Sequence, residues 1–188
     1  MNKNMRYLFL PLLWICCQIA FAQAAKPAQT KSVGQVLDGS VNYAEHELVP
    51  AADAMPEDKY SFAPTSGEFK NVRTFAQQVK HVAAVNYMLG ASIIGEKSPV
   101  DTGGESGPDA IKTKAEIVQF LKDSFAYLHK AVGSITEQNQ GLPIKAPFGD
   151  APSTRLGLSV ITVAHCLDHY GQMVEYLRMN NIVPPASR

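Results

Sequence analysis

The sequence predicts an all-α protein: a four-helix bundle whose first two helices are joined by a long crossover loop. Three observations predict it. Apolar residues recur at helical spacing in four stretches, and almost nowhere does the chain alternate as a half-buried strand would. The breaks between those stretches are rich in Gly, Pro, Ser and Asp.

Helix one is predicted over Val33–Met55, with Val33, Leu37, Val41, Ala44, Leu48 and Ala52 as its apolar stripe. Pro50 lies inside it and predicts a kink or a tightened last turn. Glu45, His46 and Glu47 are consecutive and cannot share a face, so His46 reads as solvated. Pro56 to Arg73 is the crossover, and a loop that long in a bundle tends to be functional. Its aromatic residues, Tyr60 and Phe62 above all, either cap the end of the core or wall a pocket beside the histidines.

Helix two is predicted over Thr74–Ile94, with Phe75, Val79, Val82, Leu89 and Ile93 inward and His81, Val85 and Met88 on an adjoining stripe. Gly95–Lys112 is a loop holding Gly103, Gly104 and Pro108. No strand precedes it and no Gly-Lys-Ser/Thr follows, so it is not a phosphate-binding loop. Helix three opens on a capping box, Thr113 with Glu116, and runs to about Ser134. Ile117, Phe120, Leu121, Phe125, Leu128 and Val132 face inward, with His129 on the flank as a surface or supporting residue. After the Gln138–Ala151 loop, Ser153 or Thr154 caps helix four, Leu156–Met179. It ends near Asn180, and Pro184-Pro185 prevents continuation. An antiparallel bundle is the default for such a set.

Residues 1–24 read as a cleaved signal peptide. Lys3 and Arg6 precede the apolar run Tyr7–Ile19, and Ala20-Phe21-Ala22 gives a small-x-small cleavage pattern. The run falls short of the roughly 20 apolar residues of a membrane span. A lipoprotein reading at Cys16 or Cys17 lacks small residues before them. Residues 25–31 are then a disordered leader and 32–188 the bundle, in a periplasmic or extracellular protein with no membrane attachment after cleavage. Cleavage leaves Cys166 as the sole cysteine, so no internal disulfide can form. Losing Lys3 and Arg6 turns 17 basic and 17 acidic residues into 15 and 17, a net charge of −2. With no basic patch, nucleic acid is not an expected partner.

The chemistry concentrates on helix four. His165 and His169 stand four residues apart, on one face and one turn from each other. One cation could bridge them at Zn–N distances of about 2.0–2.1 Å. Leu158, Ile161, Gln172, Met173 and Tyr176 continue the stripe, so both rings face the core or a cavity in it. A third ligand must come from another helix, and His81 is the best candidate. Three neutral imidazoles with a fourth position open form a catalytic metal geometry. The ion lowers the pKa of water toward about 7 and would do the same to a thiol. All-nitrogen ligation suits zinc, nickel, copper or iron(II). Asp168, Tyr170, Gln172 and Asn86 are the polar residues near enough in sequence to orient the rings, and Asp168 is also a candidate base acting through water.

Other motifs fail. Cys166 stands where a zincin needs glutamate, no facing Glu-x-x-His pairs suggest a di-iron site, and no Cys-x-x-Cys-His suggests haem. Cys166 itself is about 100° around the helix from His165 and reads as a packing residue.

A histidine early in helix two, within Phe75-Ala76-Gln77-Gln78-Val79-Lys80-His81-Val82, followed by His-x-x-x-His in helix four, resembles the DinB/YfiT-like superfamily. The junction Ala54–Tyr60 and the run His165–Tyr176 are also similar to that family, so the resemblance spans residues 32 to 185. It implies a bundle of unusual connectivity, often a homodimer, that binds a divalent metal through His81, His165 and His169. Relatives include transferases using thiols such as mycothiol or bacillithiol, and a related isomerase domain. Two functions follow as expectations: a metal-dependent hydrolase or thiol transferase acting on a small molecule, or a non-catalytic bundle that binds a metal or small ligand.

Overall fold

A computed structural model describes residues 29–188; the signal-peptide reading of residues 1–24, and residues 25–28 of the leader, lie outside them. Helix α1 spans Val33–Ala54, α2 Phe75–Ile94, α3 Lys114–Gly133 and α4 Arg155–Met179. Among the described residues the only strands are a short antiparallel pair, β1 (Pro143–Lys145) and β2 (Pro152–Thr154), inside the predicted last loop and its end. No helix among the described residues is long and apolar enough to cross a membrane.

The helix starts follow from local chemistry. Ser32, Thr74 and Thr113 each accept from the backbone N–H three residues on, while the Gln or Glu there returns a bond to the cap's own N–H. Each such box satisfies two donors the helix cannot pair itself. Thr154 caps α4 alone, accepting from Gly157 at 3.0 Å. Pro50 is accommodated within α1, which continues to Ala54.

The helices do not pack in chain order. α3 and α4 each lie against both α1 and α2, whereas α1 with α2, and α3 with α4, are not packed neighbours. Both diagonal steps need long connections, which explains the Pro56–Arg73 crossover and the hairpin-bearing loop before α4. Leu48, Phe75, Ile93, Phe125, Leu128, Met173 and Leu177 fill the centre and are wholly buried. Each contributes roughly 1.5–3 kcal/mol by leaving water. Tyr60 and Phe62 cap this core rather than the histidine cavity: Tyr60 meets Phe75 edge-on and donates to the Ala52 carbonyl at 2.7 Å, and Phe62 lies on Tyr176.

Val36 and Tyr43, seven residues apart on α1, and Leu156 and Val160 on α4 stay exposed, so apolar surface is left over after the core is built. His129 lies on the flank as expected and supports the packing there: its Nδ1 lies 2.6 Å from Asp38 and its Nε2 3.1 Å from Glu45, tying α3 to α1. Two carboxylate acceptors require both ring nitrogens to carry protons. Desolvation opposes that charge, but the bonds to Asp38 and Glu45 prevail and the pKa is raised. A raised folded pKa gives stability that is complete below the unfolded value near 6.5 and lost as pH climbs through the folded value. The unfolding free-energy gap between wild type and His129→Gln, read from denaturant melts, should therefore be widest near pH 5.5 and close toward pH 9, at a maximum of about 1 kcal/mol. Titration of the other histidines cancels in that difference.

Candidate metal centre

Because α2 and α4 are neighbours, His81 comes to face His165 and His169. One ligand nitrogen from each of the three lies within 4.8 Å of the others. Nε2 of His81 stands 3.1 Å from Nε2 of His165, and the three ring centroids are 4.5–5.0 Å apart. Two nitrogens bound to one tetrahedral ion at 2.1 Å would be about 3.4 Å apart, so this spacing suits a shared cation.

The ring of His81 is set by a backbone group that no side-chain pattern announces. Its Nδ1–H donates to the carbonyl of Glu105 at 2.7 Å, which leaves a lone pair at Nε2 in the neutral ring. Glu105 belongs to the 3₁₀ turn Gly104–Ser106, within the predicted Gly95–Lys112 loop. The loop is clamped onto α2. Gly107 has φ +78° and presses on Lys80, so that an added Cβ would come within 2.9 Å of the lysine side chain, and Lys80 Nζ donates to Ile111 at 3.3 Å.

Burial holds all three rings below the ordinary imidazole value. Neighbouring rings and the positive charge of Arg73 push His165 further down, while Asp168 partly offsets the effect at His169. Neutral rings are the form that binds metal. Nδ1 of His165 and Nδ1 of His169 are buried without a hydrogen-bond partner, an arrangement that costs roughly 1–3 kcal/mol per group. Neutral rings whose ligand nitrogens come this close fit a divalent cation.

The sequence-derived supporting residues lie elsewhere. Asn86 is bonded to Ser124 and Cys166 in the core at 3.2 and 3.3 Å, so it orients no ring. Cys166 is fully buried and its thiol is pushed up to about 12 by burial, making it an inert packing residue. Gln172 links Gln78 to Asp168, and Asp168 itself is exposed, outside the cavity lining. Tyr170 faces Glu47 and Tyr43 of α1, and burial with those neighbours pushes its hydroxyl up to about 12. His46 is exposed and bonded to the Asn42 carbonyl, as its position predicted.

The rings open onto a cavity of about 340 Å³ lined also by Arg73, Val85, Leu89, Glu105, Phe148 and Ile161. Ile161, part of the predicted inward stripe, is 54% exposed and serves as cavity wall rather than core. Arg73 and Phe148 come from loops that helical periodicity does not reach.

Fold and site together define a four-helix bundle with a three-histidine group able to hold a metal ion. The model of the DinB superfamily matches residues 41–173, more than half of the sequence, and the chain belongs to that superfamily. Among solved structures, the chain is similar to a DinB-like protein from Bacillus cereus. The TM-score is 0.62 at 15% identity, covering 79% of this chain and 93% of the other. No curated protein sequence matches the chain.

Proposed function

We propose that this chain is an exported metal-dependent enzyme, a hydrolase or thiol transferase acting on a small molecule at the three-histidine site. The observation carrying the reading is that the three rings meet beside an open cavity, with no fourth His, Cys, Asp or Glu in the group among the described residues. That leaves room for substrate. A zinc, nickel or iron(II) ion held there supplies Lewis acidity, which brings a water or thiol into its nucleophilic form near neutral pH.

The chain's own residues supply the rest. Glu105 fixes His81 through its carbonyl, and desolvation keeps the rings neutral. Val85, Leu89, Phe148 and Ile161 present apolar surface that excludes water from part of the cavity. Glu105 is also the one carboxylate in the lining, which makes it a better-placed proton carrier than Asp168. Export rests on Lys3, Arg6, the Tyr7–Ile19 run and Ala20-Phe21-Ala22. A homodimer is supported by the apolar surface left at Val36, Tyr43, Leu156 and Val160.

Cobalt(II) substitution tests the open position. Adding azide or a small thiol to the cobalt-loaded protein should change its visible absorption spectrum as the exogenous group enters. A spectrum unmoved by saturating azide and thiol would favour the non-catalytic metal-binding bundle instead.

A further inference from the structure

Arg73 immediately precedes Thr74, the cap of α2, and stands eight residues before His81. Its root is fixed, because the Tyr176 hydroxyl donates to its carbonyl at 3.0 Å. Its side chain lines the histidine cavity and is half-buried. Among the described residues Arg155, Arg178 and Arg188 each bond a carbonyl or carboxylate. Arg73 alone of these arginines makes no side-chain hydrogen bond and no ion pair within the described residues. Glu105, the single carboxylate of the lining, is not within ion-pair distance of it. A guanidinium aimed into a cavity with its donors unspent is a recognition group awaiting an anion.

The walls narrow the ligand's chemistry. Val85, Leu89, Phe148 and Ile161 are apolar, and Lys80, next to His81 in sequence, is turned to the Ile111 carbonyl. A dianionic phosphate would need more donors than one guanidinium offers, whereas a carboxylate matches its two-pronged geometry. We infer that Arg73 is the anion-recognition residue of this cavity, and that its ligand is a small carboxylate with an apolar body lying along Val85, Leu89, Phe148 and Ile161. This deepens the metal-enzyme reading by naming the substrate class: three neutral ligands leave the full charge of a cation uncompensated, which adds to the pull on an anion.

Calorimetry with phenylacetate, its neutral isostere phenylacetamide and inorganic phosphate tests the inference on zinc-loaded and zinc-free protein. Wild type should bind phenylacetate at least about ten-fold more tightly than the amide, the worth of a charged hydrogen-bonded pair. Arg73→Met should erase that preference, keep the amide affinity and bind zinc no more weakly, since a positive charge has been removed. Arg73→Lys should restore part of the preference. Failure of wild type to bind phenylacetate, an unchanged preference in Arg73→Met, tighter binding of phosphate than of phenylacetate, or joint loss of zinc and amide binding in Arg73→Met would each overturn it. The zinc-free arm keeps the two readings apart: Arg73-dependent preference there, in a protein that takes up no zinc, nickel or iron(II), supports the carboxylate site while defeating the metal-enzyme reading.

Discussion

His165→Ala should lose stoichiometric zinc while remaining a folded bundle. The ring is only partly buried and its Nε2 meets His81 at 3.1 Å, so truncation removes a donor without opening the core. Groups that merely support metal ligands are worth 10–100-fold in affinity, and a ligand itself should cost more than about 100-fold. Competition with a chromophoric chelator measures that loss, and circular dichroism confirms the fold. The same variant has a second signature in metal-free protein. Desolvation, then the neighbouring rings, depress the folded pKa of His165 to about 3. Between the unfolded value near 6.5 and that value the unfolded chain binds the extra proton, so stability falls as pH falls across the window. His165→Ala should lose less stability than wild type over that range.

Gly103→Ala should weaken zinc binding by about 10–100-fold without touching a ligand. Gly103 has φ +58°, and a Cβ there would lie 2.5 Å from the Gly107 carbonyl oxygen and 2.7 Å from its carbon. Backbone must move, and the segment that moves carries the Glu105 carbonyl that fixes His81. Gly104→Ala is the matched control: its φ is +64°, yet nothing lies within 4 Å of its Cβ. Both substitutions strain the backbone by on the order of 1–2 kcal/mol, but only the first should displace the loop. Equal zinc affinities in the two variants would remove the loop from the account of the site.

What could be read in the sequence was what local periodicity and capping determine. Thr113 with Glu116, the Ser153-Thr154 pair, and the four apolar stripes placed the helices to within a residue or two, because those signals act within one or two turns. His165 and His169 were legible as neighbours for the same reason, and His81 through its position on the second helix. The cavity was another matter. The Glu105 carbonyl carries no side-chain signature, although the run of glycines around it does announce backbone at positive φ. Arg73, Phe148 and the His129 contacts depend on how diagonal helices and their loops meet, which no window of one turn contains. Tyr60 and Phe62 illustrate the converse: aromatic residues in the crossover could serve either end, and the edge contacts with Phe75 and Tyr176 place them on the core.

X-ray absorption at the zinc edge of the loaded full-length protein tests the central claim most directly. One ion per chain should show three imidazole nitrogens at about 2.0–2.1 Å and a further light atom, with no sulfur, and should lose an imidazole in His81→Ala. A sulfur scatterer, or an unchanged imidazole count in His81→Ala, would place the metal somewhere other than where the three rings meet.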